Sequence, residues 1–132
     1  MAYRIYLVDD DRFLLDMYAM KFKAAGHDVT AFQVGATALE ALRKDPPPDA
    51  ILLDVVMPEI DGFGVLETIR KENLGGPTGG HPAMKVIMLT NQGQPADIER
   101  ATQLKVDGYI IKASAIPSEV FSETIRIIEK KA

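Results

Sequence analysis

Five short apolar runs alternate along the chain with five longer segments in which apolar residues recur at helical spacing. The runs predicted to be strands are residues 4–8, 28–32, 49–56, 85–90 and 108–112. The segments predicted to be helices are residues 12–26, 35–45, 63–72, 95–104 and 117–131. Apolar strands that alternate strictly with helices are typical of a parallel sheet with helices on both faces. Because such crossovers are right-handed, we expect a doubly wound α/β fold, a three-layer sandwich with a five-stranded parallel sheet and five helices.

The apolar residues of the predicted helices should face the sheet. In the first helix the residues predicted to point inward are Phe13, Leu14, Met17, Phe22 and Ala25. In the third helix they are Phe63, Leu66 and Ile69, and in the last helix Phe121, Ile125 and Ile128. These stripes predict one continuous core on each face of the sheet.

The composition favours one globular domain that does not bind nucleic acid. The chain has 132 residues, 47% of them hydrophobic, and a net charge of −4, which argues against the clustered basic surface that nucleic acid requires. No cysteine is present, so disulfides and a cysteine nucleophile are excluded. The apolar run at residues 5–8 is too short for a signal peptide or a membrane span. We therefore expect a cytoplasmic protein with no membrane partner.

Polar side chains occupy the carboxyl ends of four predicted strands. Asp9 and Asp10 follow the first strand, Asp54 interrupts the third, Thr90 ends the fourth and Lys112 ends the fifth. Carboxyl ends of parallel strands meet at one edge of the sheet, where such folds bind their ligands. Close carboxylates need a cation, and Mg²⁺ prefers oxygen ligands. Carboxylates, Mg²⁺, a hydroxyl and an ammonium together favour phosphoryl transfer onto an aspartate.

Each of these residues also has an ordinary structural explanation when it is taken alone. Paired acids after a strand are often a helix N-cap and its neighbour, and Asp11 is predicted to be such a cap. Asp54 could be a turn residue, Thr90 a β-branched strand residue and Lys112 a solvated strand end. The coincidence of all of them at neighbouring strand ends favours the chemical interpretation.

Four motifs resemble the receiver domains of two-component response regulators over nearly the whole chain. They are LVDDD after the first strand, ILLDVVMPEIDGF, VIMLT and GYIIK, in the order of that family. The most specific part is the pattern D-x-x-M-P-x-x-D-G formed by Asp54, Met57, Pro58, Asp61 and Gly62. The resemblance implies a flavodoxin-like sheet with the strand order 2-1-3-4-5. It also implies that residues 1–132 are one receiver domain, and we expect no output domain in this chain.

The resemblance implies a role for each acid. Asp54 is similar to the phosphoacceptor of the family. Asp10, Asp54 and the backbone carbonyl of Val56 would bind Mg²⁺ directly, whereas Asp9 would hold the ion largely through water.

The resemblance also assigns the remaining strand-end residues. Thr90 would donate to a phosphoryl oxygen, Lys112 would contact it as a counter-charge, and Tyr109 resembles the aromatic switch residue. The implied phosphodonor is a sensor histidine kinase or a phosphotransfer protein, and the implied output is contact with a downstream protein that the sequence does not identify. The domain would catalyse only its own phosphorylation and dephosphorylation, so it would be a switch and not a turnover enzyme.

Two departures and two alternatives remain open. Ala113 stands where the family usually has proline, which leaves the isomer of the Lys112–Ala113 peptide open, and Val56 is apolar where a polar side chain could orient water.

The main alternative is a small phosphatase of the haloacid dehalogenase type, with Asp9 as nucleophile and Asp11 as acid/base. That family needs a further acidic pair after a later strand. A flavodoxin-like mononucleotide binder would instead want a glycine-rich phosphate loop after the first strand.

Overall fold

The computed structural model describes residues 2–57, 59–77, 83–90, 95–112 and 116–130. The strands are β1 (Arg4–Val8), β2 (Asp28–Phe32), β3 (Ala50–Asp54), β4 (Lys85–Thr90) and β5 (Gly108–Ile111). The helices are α1 (Arg12–Ala24), α2 (Gly35–Lys44), α3 (Gly62–Glu72), α4 (Pro95–Gln103) and α5 (Pro117–Glu129). All strand pairs are parallel, and the order across the sheet is β2-β1-β3-β4-β5. The predicted fold class and strand order are therefore confirmed.

The sheet carries one apolar cluster on each face. Side chains of successive strand residues point to opposite faces, so Tyr6 and Val8 belong to one cluster while Ile5 and Leu7 belong to the other. Helices α2 and α3 pack together on the first face, and α1 and α5 pack together on the second. The middle of β3 is fully buried, as expected for a central strand covered on both sides. This arrangement is the expected three-layer sandwich.

The third and fifth strands are shorter than predicted. The apolar run of β3 continues to Val56, but the strand ends at Asp54 and the Val56 side chain is 70% exposed. Likewise β5 ends at Ile111, one residue before Lys112. Both strands end at the edge of the sheet where the polar residues lie, and in β3 the apolar pattern of the sequence runs past the end of the strand.

The predicted inward face of α1 is wrong in part. Phe13 is 76% exposed and Ala25 is also exposed, whereas Phe22 is fully buried as predicted. Leu14 and Met17 are half-buried. The buried stripe of α1 consists of Leu15, Tyr18, Ala19 and Phe22. Because α1 contains apolar residues around more than half of its circumference, its pattern fits two stripes about one residue apart, and packing against α5 selects the second.

The last helix shows a smaller difference of the same kind. Its buried residues are Val120, Thr124 and Ile127. The predicted residues Phe121, Ile125 and Ile128 are half-buried and pack against the same cluster. In α3, Phe63, Leu66 and Ile69 are fully buried, as predicted.

Two positions named in the sequence analysis, Pro58 and Ala113, lie outside the described residues. Within the described ranges, no helix has the length and apolar character needed to cross a bilayer.

Candidate functional site

Three carboxylates meet at the carboxyl edge of the sheet. Asp9 and Asp10 follow β1, and Asp54 is the last residue of the adjacent strand β3. One carboxylate oxygen from each lies within 4.8 Å of the others. Asp9 and Asp54 are 2% and 5% exposed, whereas Asp10 is exposed to solvent. The parallel register of β1 and β3 is what brings these residues together, as the sequence predicted.

Lys112 reaches this cluster from the end of the edge strand β5, two strands away from β3. It follows β5, and its ammonium Nζ donates to Asp54 Oδ1 at 2.8 Å and to Asp9 Oδ2 at 3.2 Å. To do so the side chain passes over the end of β4, which separates β5 from β3 in the sheet. The Lys112 side chain is only 7% exposed. A buried ammonium held by two buried carboxylates is an ion-pair network and not a solvated strand end.

Burial and neighbouring charges change the acidity of the two partners. Burial raises the pKa of Asp54 to about 6, the hydrogen bond from Lys112 opposes this rise, and the nearby charges of Asp9 and Asp10 add to it. Burial alone lowers the pKa of Lys112. The hydrogen bond to Asp54 and the negative charges of Asp54 and Asp9 outweigh this effect, so the pKa lies above the usual value. Three carboxylates face one ammonium, so the cluster retains excess negative charge. A divalent cation with oxygen ligands can neutralise that excess.

Backbone contacts fix the orientation of Asp9 and of its neighbour Asp11. Asp9 Oδ1 accepts a hydrogen bond from the backbone N–H of Asp11 at 2.9 Å. Asp11 Oδ1 in turn accepts from the N–H of Leu14 at 3.2 Å and caps the N-terminus of α1. Asp11 is therefore the predicted helix cap. Because its carboxylate is occupied there, the structure does not support a role for Asp11 as the acid/base of a phosphatase.

A glycine allows α3 to begin directly against the end of β3. The N–H of Gly62 donates to the carbonyl of Val55 at 3.0 Å. A Cβ atom at position 62 would lie 2.2 Å from the carbonyl oxygen of Asp54, a backbone atom that cannot rotate away. Asp61 caps the helix by accepting from the N–H of Gly64 at 2.8 Å. The D-G pair of the motif thus packs α3 against Asp54, a role that the sequence analysis did not identify.

Thr90 lies at the end of β4 next to this cluster, and Tyr109 lies on the neighbouring strand β5. Thr90 is the last residue of β4 and is 5% exposed. Burial raises the pKa of Tyr109, and a hydrogen-bonding influence of the Thr90 hydroxyl partly offsets that rise. The Tyr109 hydroxyl is buried, yet it makes no hydrogen bond of good geometry within the described part of the chain. Thr90 is therefore near enough to the Tyr109 hydroxyl to influence its pKa. A displacement of Thr90 would change the surroundings of Tyr109.

Comparison with known proteins gives a consistent result. The model of the response regulator receiver domain matches residues 5–120. The regulatory protein VanRc of Enterococcus gallinarum is 31% identical over 112 residues, which cover 85% of this chain and 44% of that protein. The probable transcriptional regulator ycf27 of Galdieria sulphuraria is 31% identical over 109 residues, covering 83% of this chain and 39% of that protein. The chain thus spans about two fifths of the length of these relatives.

Solved structures share the fold at lower sequence identity. A CheY-like receiver domain protein from Methanospirillum hungatei JF-1 superposes with a TM-score of 0.82 at 22% identity, covering 98% of this chain and 95% of that chain. The chemotaxis response regulator CheY4 of Vibrio cholerae gives a TM-score of 0.81 at 22% identity, covering 96% and 99%. These likenesses concern the fold alone.

The match to the family model covers most of the chain and includes all the strands that carry the acid cluster. It does not support the phosphatase alternative, in which Asp9 would be the nucleophile. The receiver domains of this family take part in two-component signalling. The chain belongs to the response regulator receiver domain family.

Proposed function

We propose that this chain is a phosphorylation-dependent switch that accepts a phosphoryl group onto Asp54 in the presence of Mg²⁺. The observation that carries the proposal is the environment of Asp54, a buried carboxylate with an ammonium at 2.8 Å and two further carboxylates close by. A carboxylate can attack phosphorus only if the charges of both partners are offset. Lys112 and a divalent cation would supply that compensation.

The metal ligands in this proposal are the carboxylates of Asp10 and Asp54 and the backbone carbonyl of Val56. Asp9 would act through water, because its Oδ2 already pairs with Lys112 at 3.2 Å. The donor set fits Mg²⁺, which takes about six oxygen ligands and is usually held by one or two carboxylates together with waters. When bound, the ion would neutralise charge on the phosphoryl oxygens.

The phosphoryl contacts in this proposal come from the other two strand ends. An oxygen of Asp54 attacks the phosphorus atom of a phosphohistidine on the donor protein. The bond between phosphorus and the histidine nitrogen breaks, and that nitrogen keeps the electron pair. Lys112 would move its contact from the Asp54 carboxylate to a phosphoryl oxygen, and the Thr90 hydroxyl would donate to another. Tyr109 would respond to the displacement of Thr90, because its buried hydroxyl faces that residue.

A protein phosphodonor, either a sensor histidine kinase or a phosphotransfer protein, follows from the family. Receiver domains accept phosphoryl groups from histidine kinases, and we propose the same class of donor here. The downstream partner would be a protein that reads the surface near β5. In this view the chain catalyses its own phosphorylation and dephosphorylation and turns over no small substrate.

Incubation with acetyl phosphate and Mg²⁺ tests the proposal. We expect intact mass spectrometry to show one added phosphoryl group, peptide mapping to place it on Asp54, and Asp54→Asn to abolish it. Asp9→Asn should slow the reaction without moving the label. Label on Asp9, or steady hydrolysis of varied phosphomonoesters, would contradict the proposal.

Mg²⁺ should stabilise the folded chain through the acid cluster. An ion that binds only the folded state raises the free energy of unfolding by about 2.7 kcal/mol when it is present at 100 times its Kd. Asp10→Ala should remove most of this gain. Thermal melts with and without Mg²⁺ measure the effect. Asp16→Ala is the matched control, because Asp16 is an exposed acid of α1 whose partner is Arg12. Equal Mg²⁺ shifts in Asp10→Ala and Asp16→Ala would show that the ion does not bind at the cluster.

Val56→Asn should shorten the lifetime of the phosphorylated state severalfold. The Val56 side chain is 70% exposed two residues beyond Asp54, and an apolar group there cannot orient an attacking water. An amide at the same position can hydrogen-bond that water. The decay of the phosphorylated mass after removal of acetyl phosphate measures the lifetime. Val34→Asn, at a different strand end, serves as the control, and an unchanged lifetime in Val56→Asn would rule out this role.

A further inference from the structure

Helix α4 has little apolar anchorage in the core. Among its described residues only Ala101 is buried, and the one large apolar side chain, Ile98, is 40% exposed. A helix in a globular protein is normally held by a stripe of buried side chains. Helix α4 must therefore depend on other contacts to keep its position.

Those contacts are polar and run to α3. The Arg100 guanidinium of α4 lies 4.5 Å from the centroid of the Phe63 ring, and its Nη2 donates to Glu67 Oε2 at 2.9 Å. Arg100 thus combines a cation–π contact with an ion pair on two successive turns of the neighbouring helix. From α3, Arg70 donates to the carbonyls of Leu104 and Lys105 just after α4, both at 2.9 Å.

The two helices are connected to the acid cluster in different ways. Helix α3 is fixed to it, because Gly62 packs against the carbonyl of Asp54 and the adjacent Phe63 is 2% exposed. Helix α4 follows β4, which ends at Thr90 beside Asp54. In the proposed function Thr90 moves toward a phosphoryl group on Asp54, and of the two helices only α4 follows the strand that carries Thr90. The Arg100 contacts join α3, which packs against Asp54, to α4, which follows the strand that ends at Thr90.

We propose that Arg100 is an autoinhibitory latch that holds α4 against α3 in the unphosphorylated state and opens when Asp54 is phosphorylated. The inference rests on the proposed function, because it takes phosphorylation of Asp54 as the trigger. We assign the Arg100 contacts to the unphosphorylated state, because Lys112 pairs directly with the Asp54 carboxylate at 2.8 Å. A cation–π contact and a half-exposed ion pair together shift the equilibrium between the closed and the open position of α4 about threefold to fivefold toward the closed one.

Loss of the latch should make activation easier. We expect Arg100→Met to bind beryllofluoride, a phosphoryl mimic, about threefold to fivefold more tightly than the wild type in the presence of Mg²⁺, since the latch no longer opposes the change. Isothermal titration calorimetry measures the affinity. Arg100→Lys, which keeps the charge above Phe63 and near Glu67, should restore part of the wild-type affinity. Amide exchange in α4 should also be faster in Arg100→Met than in the wild type before any ligand is added.

Arg43→Met is the matched control. Arg43 pairs with Glu72 across α2 and α3 at 2.7 Å and is about as exposed as Arg100, but neither of its helices is α4. Its loss should leave beryllofluoride affinity unchanged. An affinity for Arg100→Met that equals that of Arg43→Met, or falls below it, would show that Arg100 only stabilises the fold. A wild type that fails to bind beryllofluoride would instead overturn the proposed function, and the latch with it.

Discussion

Asp54→Asn is expected to stabilise the metal-free protein near neutral pH by about 1–3 kcal/mol. Burial raises the pKa of Asp54 from 3.8 to about 6, so its ionised form is disfavoured in the folded chain. The amide of asparagine has nearly the same shape and carries no charge. Lys112 keeps a carboxylate partner in the variant, because Asp9 lies 3.2 Å from its ammonium. Urea unfolding in the presence of a chelator measures the difference.

The stabilisation should depend on pH in a defined direction. Between pH 3.8 and about 6 the folded chain binds more protons at Asp54 than the unfolded chain does. The stability of the wild type therefore falls as pH rises through this window, and the penalty is complete above it. The advantage of Asp54→Asn should be largest near pH 7 and should shrink toward pH 4 as Asp54 becomes protonated in both states.

Mg²⁺ and a second variant provide the controls for this result. Mg²⁺ should reduce the difference in unfolding free energy between Asp54→Asn and the wild type near neutral pH, because only the wild type has an Asp54 charge for the ion to offset. Asp10→Asn should give a smaller gain, since Asp10 is exposed and its charge is hydrated. A variant Asp54→Asn that is less stable than the wild type in chelator at neutral pH would show that the Lys112 pair outweighs the burial of the carboxylate.

The position of the site residues was predictable from the sequence because it depends on strand ends. Five βα units place Asp54, Thr90 and Lys112 at one edge of the sheet whatever the details of packing. The parallel register adds Asp9 and Asp10 on the adjacent strand. Local rules also identified Asp11 as the cap of α1. Each of these inferences uses only the order of elements and the direction of the chain.

Features that depend on side-chain packing were not predictable in the same way. The apolar pattern of α1 fits more than one stripe, and only contact with α5 leaves Phe13 exposed and Tyr18 buried. The contact of Arg100 with Phe63 joins two helices that are separated along the chain by a strand, and neither residue carries a local motif. The double pairing of Lys112 likewise depends on the path of its side chain across β4. These contacts are fixed by tertiary geometry and not by periodicity.

The role of Gly62 shows how a motif residue acts through backbone geometry, and it leads to the largest expected loss of stability. Helix propensity alone favours alanine over glycine by about 1 kcal/mol. At position 62, however, a Cβ atom would lie 2.2 Å from the oxygen and 2.9 Å from the carbon of the Asp54 carbonyl, so α3 must shift away from β3. We therefore expect Gly62→Ala to lower the free energy of unfolding by about 2–4 kcal/mol.

The same displacement should also damage the acid cluster. Asp54 is the residue against which Gly62 packs, so Gly62→Ala should weaken Mg²⁺ binding and slow labelling by acetyl phosphate under conditions in which the variant is still folded. Gly64→Ala is the matched control within α3, because the nearest atoms to a Cβ there are the side-chain carbons of Ile60 at 2.8 Å and 3.4 Å, which can rotate. Urea unfolding and calorimetric titration of Mg²⁺ measure the two effects. If Gly62→Ala were as stable and bound Mg²⁺ as tightly as Gly64→Ala, the close packing of α3 on Asp54 could not be what positions the acid cluster.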